Sequence, residues 1–74
     1  MVDFEKAKKI AIRHNKRVNA CFEYDKGYRF FVQGITVDGG NSDFVVVKDT
    51  GEVFTMMAFI SEYHPNPKYK EVNF

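Results

Sequence analysis

The chain offers few groups capable of bond-making chemistry. Asp49-Thr50-Gly51 is the tripeptide that carries the reactive carboxylate of aspartic proteases. There the carboxylate is buried beside a twin from a second copy of the motif, and Ser or Ala usually follows the glycine. Here Lys48 precedes the tripeptide and Glu52 follows it, so an exposed turn between two strands is the expected role. Cys21 is the one cysteine, which excludes an internal disulfide and a thiolate metal centre. It would act as a nucleophile only beside a histidine in electropositive surroundings, and a buried inert thiol is expected instead. His14 falls on the apolar side of a helical pattern, where a packed, hydrogen-bonded histidine is the ordinary outcome. His64 stands before Pro65, as an exposed turn residue would. The run "DGGNSD" at residues 38–43 sets acids near glycines, as calcium loops do, yet lacks the spaced oxygen ligands and closing Glu of an EF-hand. It reads as a loop. There is no histidine pair at metal spacing, no glycine-rich phosphate loop and no serine in a strand-to-helix elbow. The expectation is a protein that is not an enzyme and uses no cofactor or metal.

Composition points the same way. Seventy-four residues form one α+β domain, residues 1–74, burying roughly 60% of the unfolded surface. Eight Phe and four Tyr supply a core of large side chains, which argues against disorder. No apolar run approaches the roughly 20 residues that span a bilayer, and the N-terminal sequence has no secretory pattern. A cytoplasmic protein without membrane contact is expected. Net charge is +1 but unevenly spread. Residues 1–17 hold six basic side chains against two acidic ones, and the rest holds five against eight.

The elements that would position these groups are legible from periodicity. Phe4, Ala7, Ile10, Ala11 and His14 share one arc of a helix over Phe4–His14, with Lys6, Lys9 and Arg13 opposite. Asp3 is its N-cap, because its carboxylate can accept from the orphan N–H groups of the first turn. Ile12 lies off the apolar stripe. From Arg17 the period becomes two. Val18, Ala20, Phe22 and Tyr24 alternate with Asn19, Cys21, Glu23 and Asp25; after Asp25-Lys26-Gly27, Tyr28, Phe30 and Val32 alternate with Arg29, Phe31 and Gln33. Asp-x-Gly suits a type I turn closed by a left-handed glycine. That turn pairs Tyr24 with Tyr28, Phe22 with Phe30 and Glu23 with Arg29. The same turn at Asp49-Thr50-Gly51 pairs Lys48 with Glu52, Val47 with Val53 and Val46 with Phe54, within a last strand over about residues 52–56. Residues 57–60 extend that strand or begin a helical turn. Pro65 and Pro67 favour extended backbone before them, so the last ten residues should cross the surface or form an edge.

The predicted fold is therefore α+β: an N-terminal helix on one face of a four-stranded antiparallel sheet built from two hairpins, with an extended C-terminal tail. The opposite face carries Phe31, Val45, Val47 and Val53, with Cys21, among polar residues. A face this apolar is covered or binds something. Three covers are open: the chain's own tail, a homodimer or partner protein, or a small molecule. Phe31, Val45, Val47 and Val53 are the candidate partner-binding residues. The runner-up function is nucleic-acid binding through Lys6, Lys9, Arg13 and Lys16, which would be salt-dependent. It is disfavoured because the aromatics sit mostly at core positions rather than as a stacking platform beside the charges.

The order helix, hairpin, hairpin, with "VVVKDTGEVF" in the second turn, is similar to two groups of small domains. One is the PepSY-type domain, in which a helix precedes a sheet with a comparable strand–turn–strand. The other is a family of bacterial immunity proteins, in which an apolar strand and Thr-Gly-Glu-Val precede the final segment. The resemblance covers residues 44–54 and the coarse topology. The Asp-Gly-Gly-Asn loop and the Tyr-His-Pro-Asn-Pro tail depart from both groups. PepSY-like domains are often exported or membrane-attached, and no export signal is visible here. The resemblance implies a non-catalytic protein that binds another protein, such as a protease or toxin. It carries over no functional residue.

Overall fold

The computed structural model describes residues 1–32 and 43–74. The predicted loop at residues 38–43 lies outside these, apart from Asp43, as does Gln33. Helix α1 (Phe4–His14) begins where expected: Asp3 Oδ1 accepts from the Lys6 N–H at 2.9 Å. Strands β1 (Ala20–Glu23), β2 (Gly27–Phe31), β3 (Phe44–Val47) and β4 (Val53–Phe54) follow. Helix α2 (Met56–Tyr63) and a final strand, β5 (Lys70–Val72), complete the order. The sheet is antiparallel and runs β4-β3-β2-β1-β5. The α+β class and the N-terminal helix are as predicted. Among the described residues the sheet has five strands rather than four, and a second helix lies on its other face.

That second helix changes the architecture. Below α1, Ala7 and Ala11 pack with Val18, Cys21, Tyr28, Phe30, Phe44 and Val46. Phe4 stacks on Phe30, with centroids 6.3 Å apart. Below α2, Phe59 packs with Tyr24, Val45 and Val47. The sheet is thus covered on both faces, although α2 is only eight residues long. Thr55 caps α2, its Oγ1 accepting from the Ala58 N–H at 3.1 Å. The helix ends at His64, whose φ of 46° is left-handed, and Pro65 follows. The tail then runs extended and adds β5 to the free edge of β1, as an edge-forming tail should. Phe74 closes the α1 side against Phe30, and its carbonyl accepts from Lys8 Nζ at 2.7 Å.

Both hairpins are offset by one residue from the predicted register. Cys21 pairs with Phe30, Phe22 with Arg29 and Glu23 with Tyr28. The connection is Asp25-Lys26 alone, since the Tyr24 N–H donates to the Gly27 carbonyl at 2.8 Å. Gly27 has no positive φ and belongs to β2. Its value is the missing Cβ, which would stand 2.8 Å from Val45 Cγ1, 3.0 Å from the Val46 carbonyl oxygen and 3.1 Å from Phe59 Cε1. In the second hairpin Val46 pairs with Val53 and Val45 with Phe54. The loop holds four residues, Lys48 to Gly51, and Gly51 takes the left-handed φ of 77° that its position in the turn predicts.

A one-residue slip moves a whole strand to the other face. β2 and β3 face as predicted: Tyr28, Phe30, Phe44 and Val46 lie under α1. β1 and β4 are inverted. Phe22, Tyr24, Phe54 and Met56 lie on the α2 side, whereas Cys21 and Val53 lie under α1. The predicted Glu23–Arg29 pair is replaced by Lys48–Glu23 at 2.7 Å and Arg29–Asp43 at 2.8 Å.

Candidate functional site: the outer side of helix α2

The four predicted partner-binding residues are not one surface. Val45 and Val47 are 0% exposed, sealed under Phe59 of α2. Val53 is half-buried on the α1 side. Phe31 is also half-buried, its ring 4.9 Å from Phe22 and 5.6 Å from the Arg29 guanidinium. The tail of the chain therefore supplies the cover for Val45 and Val47, the first of the three covers considered.

What the cover presents outward is itself apolar. Phe59 is 0% exposed, but Met57 is 83% exposed and Ile60 49% exposed. Met57 and Ile60 stand three residues apart, so they project from one side of α2. Ser61 and Glu62 are exposed beside them, and Tyr63 turns back against Phe54 with ring centroids 5.6 Å apart. Sequence reasoning missed this surface because it left residues 57–60 between strand and helix. The available signals were Thr55 as an N-cap, good helix formers after it and Pro65 beyond the end.

A cleft of about 640 Å³ opens between the last turn of α1 and the first turn of α2. Phe44, Val53, Phe54, Met56 and Met57 give it apolar walls, and His14 and Asp43 also line it. His14 is exposed rather than buried as periodicity predicts. It is the last residue of α1, and its ring lies 4.5 Å from that of Phe44 at the cleft. Asp43 Oδ2 accepts from Arg29 Nε at 3.0 Å and from Arg29 Nη2 at 2.8 Å.

The other groups with reactive potential stand apart from this cleft. Cys21 is fully buried under α1, and burial, with the Glu23 carboxylate nearby, pushes its thiol up to about 12. Tyr28 is buried too, and burial holds its phenol above the usual range. Asp49 is exposed on the turn, where Thr50 Oγ1 accepts from the Glu52 N–H at 3.1 Å. His64 is exposed as the C-cap of α2. Among the described residues, no three His, Cys, Asp or Glu side chains gather in a metal-binding group, and no helix is long and apolar enough to cross a membrane.

Lys6, Lys9, Arg13 and Lys16 are all exposed, and none makes an ion pair among the described residues. Lys8 is withdrawn from the stripe by its bond to the Phe74 carbonyl and lies 4.7 Å from that ring's centroid. Comparison with protein-family models, curated proteins and solved structures returns no match to this chain.

Proposed function

We propose that this chain is a non-catalytic binding module, inhibitor-like or immunity-like, that engages another protein through the outer side of α2. One observation carries this reading: α2 is apolar on both sides. Phe59 satisfies the inner side, while Met57 and Ile60 leave the outer side in water. An exposed apolar surface on a small domain marks a contact.

Self-association through α2 alone is the weaker form of this reading. Eight residues make a helix about 12 Å long. A stable interface takes about 800 Å² from each partner, more than two such helices can bury against each other. A larger protein whose surface wraps α2 meets that requirement better.

The test is affinity capture from the native host with three baits: the wild-type chain, the Met57→Glu/Ile60→Glu double variant and Phe31→Asp. The expected result is a protein retained by the wild type and lost by the double variant, with Phe31→Asp intermediate or unaffected. Equal retention by all three baits would remove α2 from the interface.

The exposed stripe of Lys6, Lys9, Arg13 and Lys16 favours a second reading, nucleic-acid binding by phosphate contact. Its test is duplex binding across a salt series with Lys9→Glu/Arg13→Glu as the control. Binding that survives physiological salt and vanishes in the variant would put this reading first.

A further inference from the structure

The edge of β1 has an occupant of known sequence, the chain's own tail. We infer that this edge also takes the tail of a second copy, so that two chains exchange residues 66–74 and each β5 pairs with the other copy's β1. The inference is independent of the α2 reading.

Complementarity fixes the occupant. Within one chain β5 meets β1 through the pairs Cys21–Val72, Phe22–Glu71 and Glu23–Lys70. Tyr69 lies against Phe22 and Tyr24, with ring centroids 4.5 Å and 5.6 Å away. The Asn66 N–H donates to Asp25 Oδ1 at 3.1 Å. Phe74 reaches Phe30 at 6.1 Å, and its carbonyl accepts from Lys8 Nζ at 2.7 Å. A foreign strand would have to displace the tail and replace all of these contacts. A second copy's tail carries the same residues and remakes each one, which is why exchange of an identical element is an easy route to a dimer.

The hinge supplies the drive. His64 has φ 46° and ψ 56°, a left-handed backbone. That region is unfavourable for a residue with a Cβ. Pro65 comes next, and a residue before proline is pushed towards extended backbone. The turn that sends the tail back across its own sheet is therefore opposed twice at one residue. An extended His64 removes both conflicts and carries the tail away from its own β1. The hinge is only His64 and Pro65, and a short hinge under strain invites exchange. Pro65 and Pro67 hold the released arm stiff, so opening frees little of its backbone.

The test reads mass and chain pairing. The wild-type chain, refolded from denaturant at millimolar and at micromolar concentration, is sized by light scattering. A dimer is expected from the first sample and a monomer from the second. His64→Gly accepts the left-handed backbone and relieves both hinges, so it should weaken dimerisation at least about tenfold. For pairing, a Cys21→Ala chain with Glu23→Cys is refolded with a Cys21→Ala chain carrying Lys70→Cys. These positions face each other across β1 and β5, at a spacing a disulfide can bridge. A disulfide between the two different chains is expected. It should be absent when the second chain carries Glu62→Cys instead, on the exposed side of α2. A monomer at both concentrations, or equal cross-linking in the two mixtures, would overturn the exchange. A dimer lost in Met57→Glu/Ile60→Glu without any Glu23→Cys to Lys70→Cys cross-link would also overturn it, by moving the contact to α2. A dimer indifferent to His64→Gly would overturn the hinge.

Discussion

The two faces of the sheet are covered by helices that solve one packing problem in opposite ways. On the first face the small residues belong to the helix. Ala7 and Ala11 of α1 are fully buried, which brings the helix down onto the large rings of Phe30 and Tyr28. On the second face the small residue belongs to the sheet. Gly27 leaves a hole in β2, and the large ring of Phe59 comes within contact of it. The first arrangement spreads its contact along the helix over Phe4, Ala7, Ile10 and Ala11, and the second centres it on Phe59, the one fully buried residue of α2, with Met56 and Tyr63 beside it. The lesson is that α1 is held by a pattern and α2 by a point. A cover held at a point can expose its outer side to a partner, but it is also the part most easily lost.

Truncating the point should have the largest effect. Phe59→Ala removes a fully buried ring, and such changes cost about 3–5 kcal/mol. Urea denaturation should show the chain near or past its stability limit, given the margin of about 5 kcal/mol expected for a small domain. Where a fold survives, α2 amides should exchange freely while those of α1 stay protected.

Filling the hole is the next test. Gly27→Ala places a Cβ 2.8 Å from Val45 Cγ1 and 3.0 Å from the Val46 carbonyl oxygen, and the backbone oxygen cannot swing aside. A loss of about 1–3 kcal/mol is expected from such overpacking. In a double-mutant cycle Gly27→Ala and Phe59→Leu should be coupled, whereas Gly27→Ala and Asp3→Ala should add independently.

The caps give a milder comparison. Asp3→Ala and Thr55→Ala each remove a bond to a helix N-terminus, worth about 1 kcal/mol. Equal losses in global stability are expected. Only Thr55→Ala should also raise the exchange rate of the α2 amides and weaken partner capture.

The smallest effect concerns pH and belongs to the α1 face alone. The Cys21 thiol has an ordinary value of 9.0 and is pushed to about 12 in the fold. Below pH 9 both folded and unfolded chains keep the proton, and the stability is fully present. Between 9 and 12 the unfolded thiol ionises first, so stability is lost as pH rises. Tyr28, also raised, acts in the same direction. Denaturation midpoints should fall more steeply above pH 9 in the wild type than in Cys21→Ala, and the native thiol should resist alkylation at neutral pH.

How much could be read from the sequence follows the same division. α1 and its Asp3 cap are local features with a 3.6-residue period, and both stand where periodicity places them. β2 and β3 face as alternation predicts. The register failed at Gly27, because Asp-x-Gly admits both a left-handed bulge and a two-residue turn. The choice was made by Val45 and Phe59, far away in sequence. α2 was hidden because "MMAFI" is apolar without interruption, a pattern shared by buried strands and buried helices. The candidate site inherited that ambiguity. Val45 and Val47 look exposed only if residues 57–60 belong to a strand. Phe31 kept its predicted face, but the cleft depends on α1, β3, β4 and α2 converging, which no local pattern announces.

The central claim is that α2 faces a protein partner and the α1 stripe does not. Calorimetric titration of the captured partner against wild type, Met57→Glu/Ile60→Glu and Lys9→Glu/Arg13→Glu tests it most directly. The account predicts that binding is lost in the α2 variant and stays within a few-fold of wild type in the stripe variant. Retained binding in the first, or loss confined to the second, would contradict it.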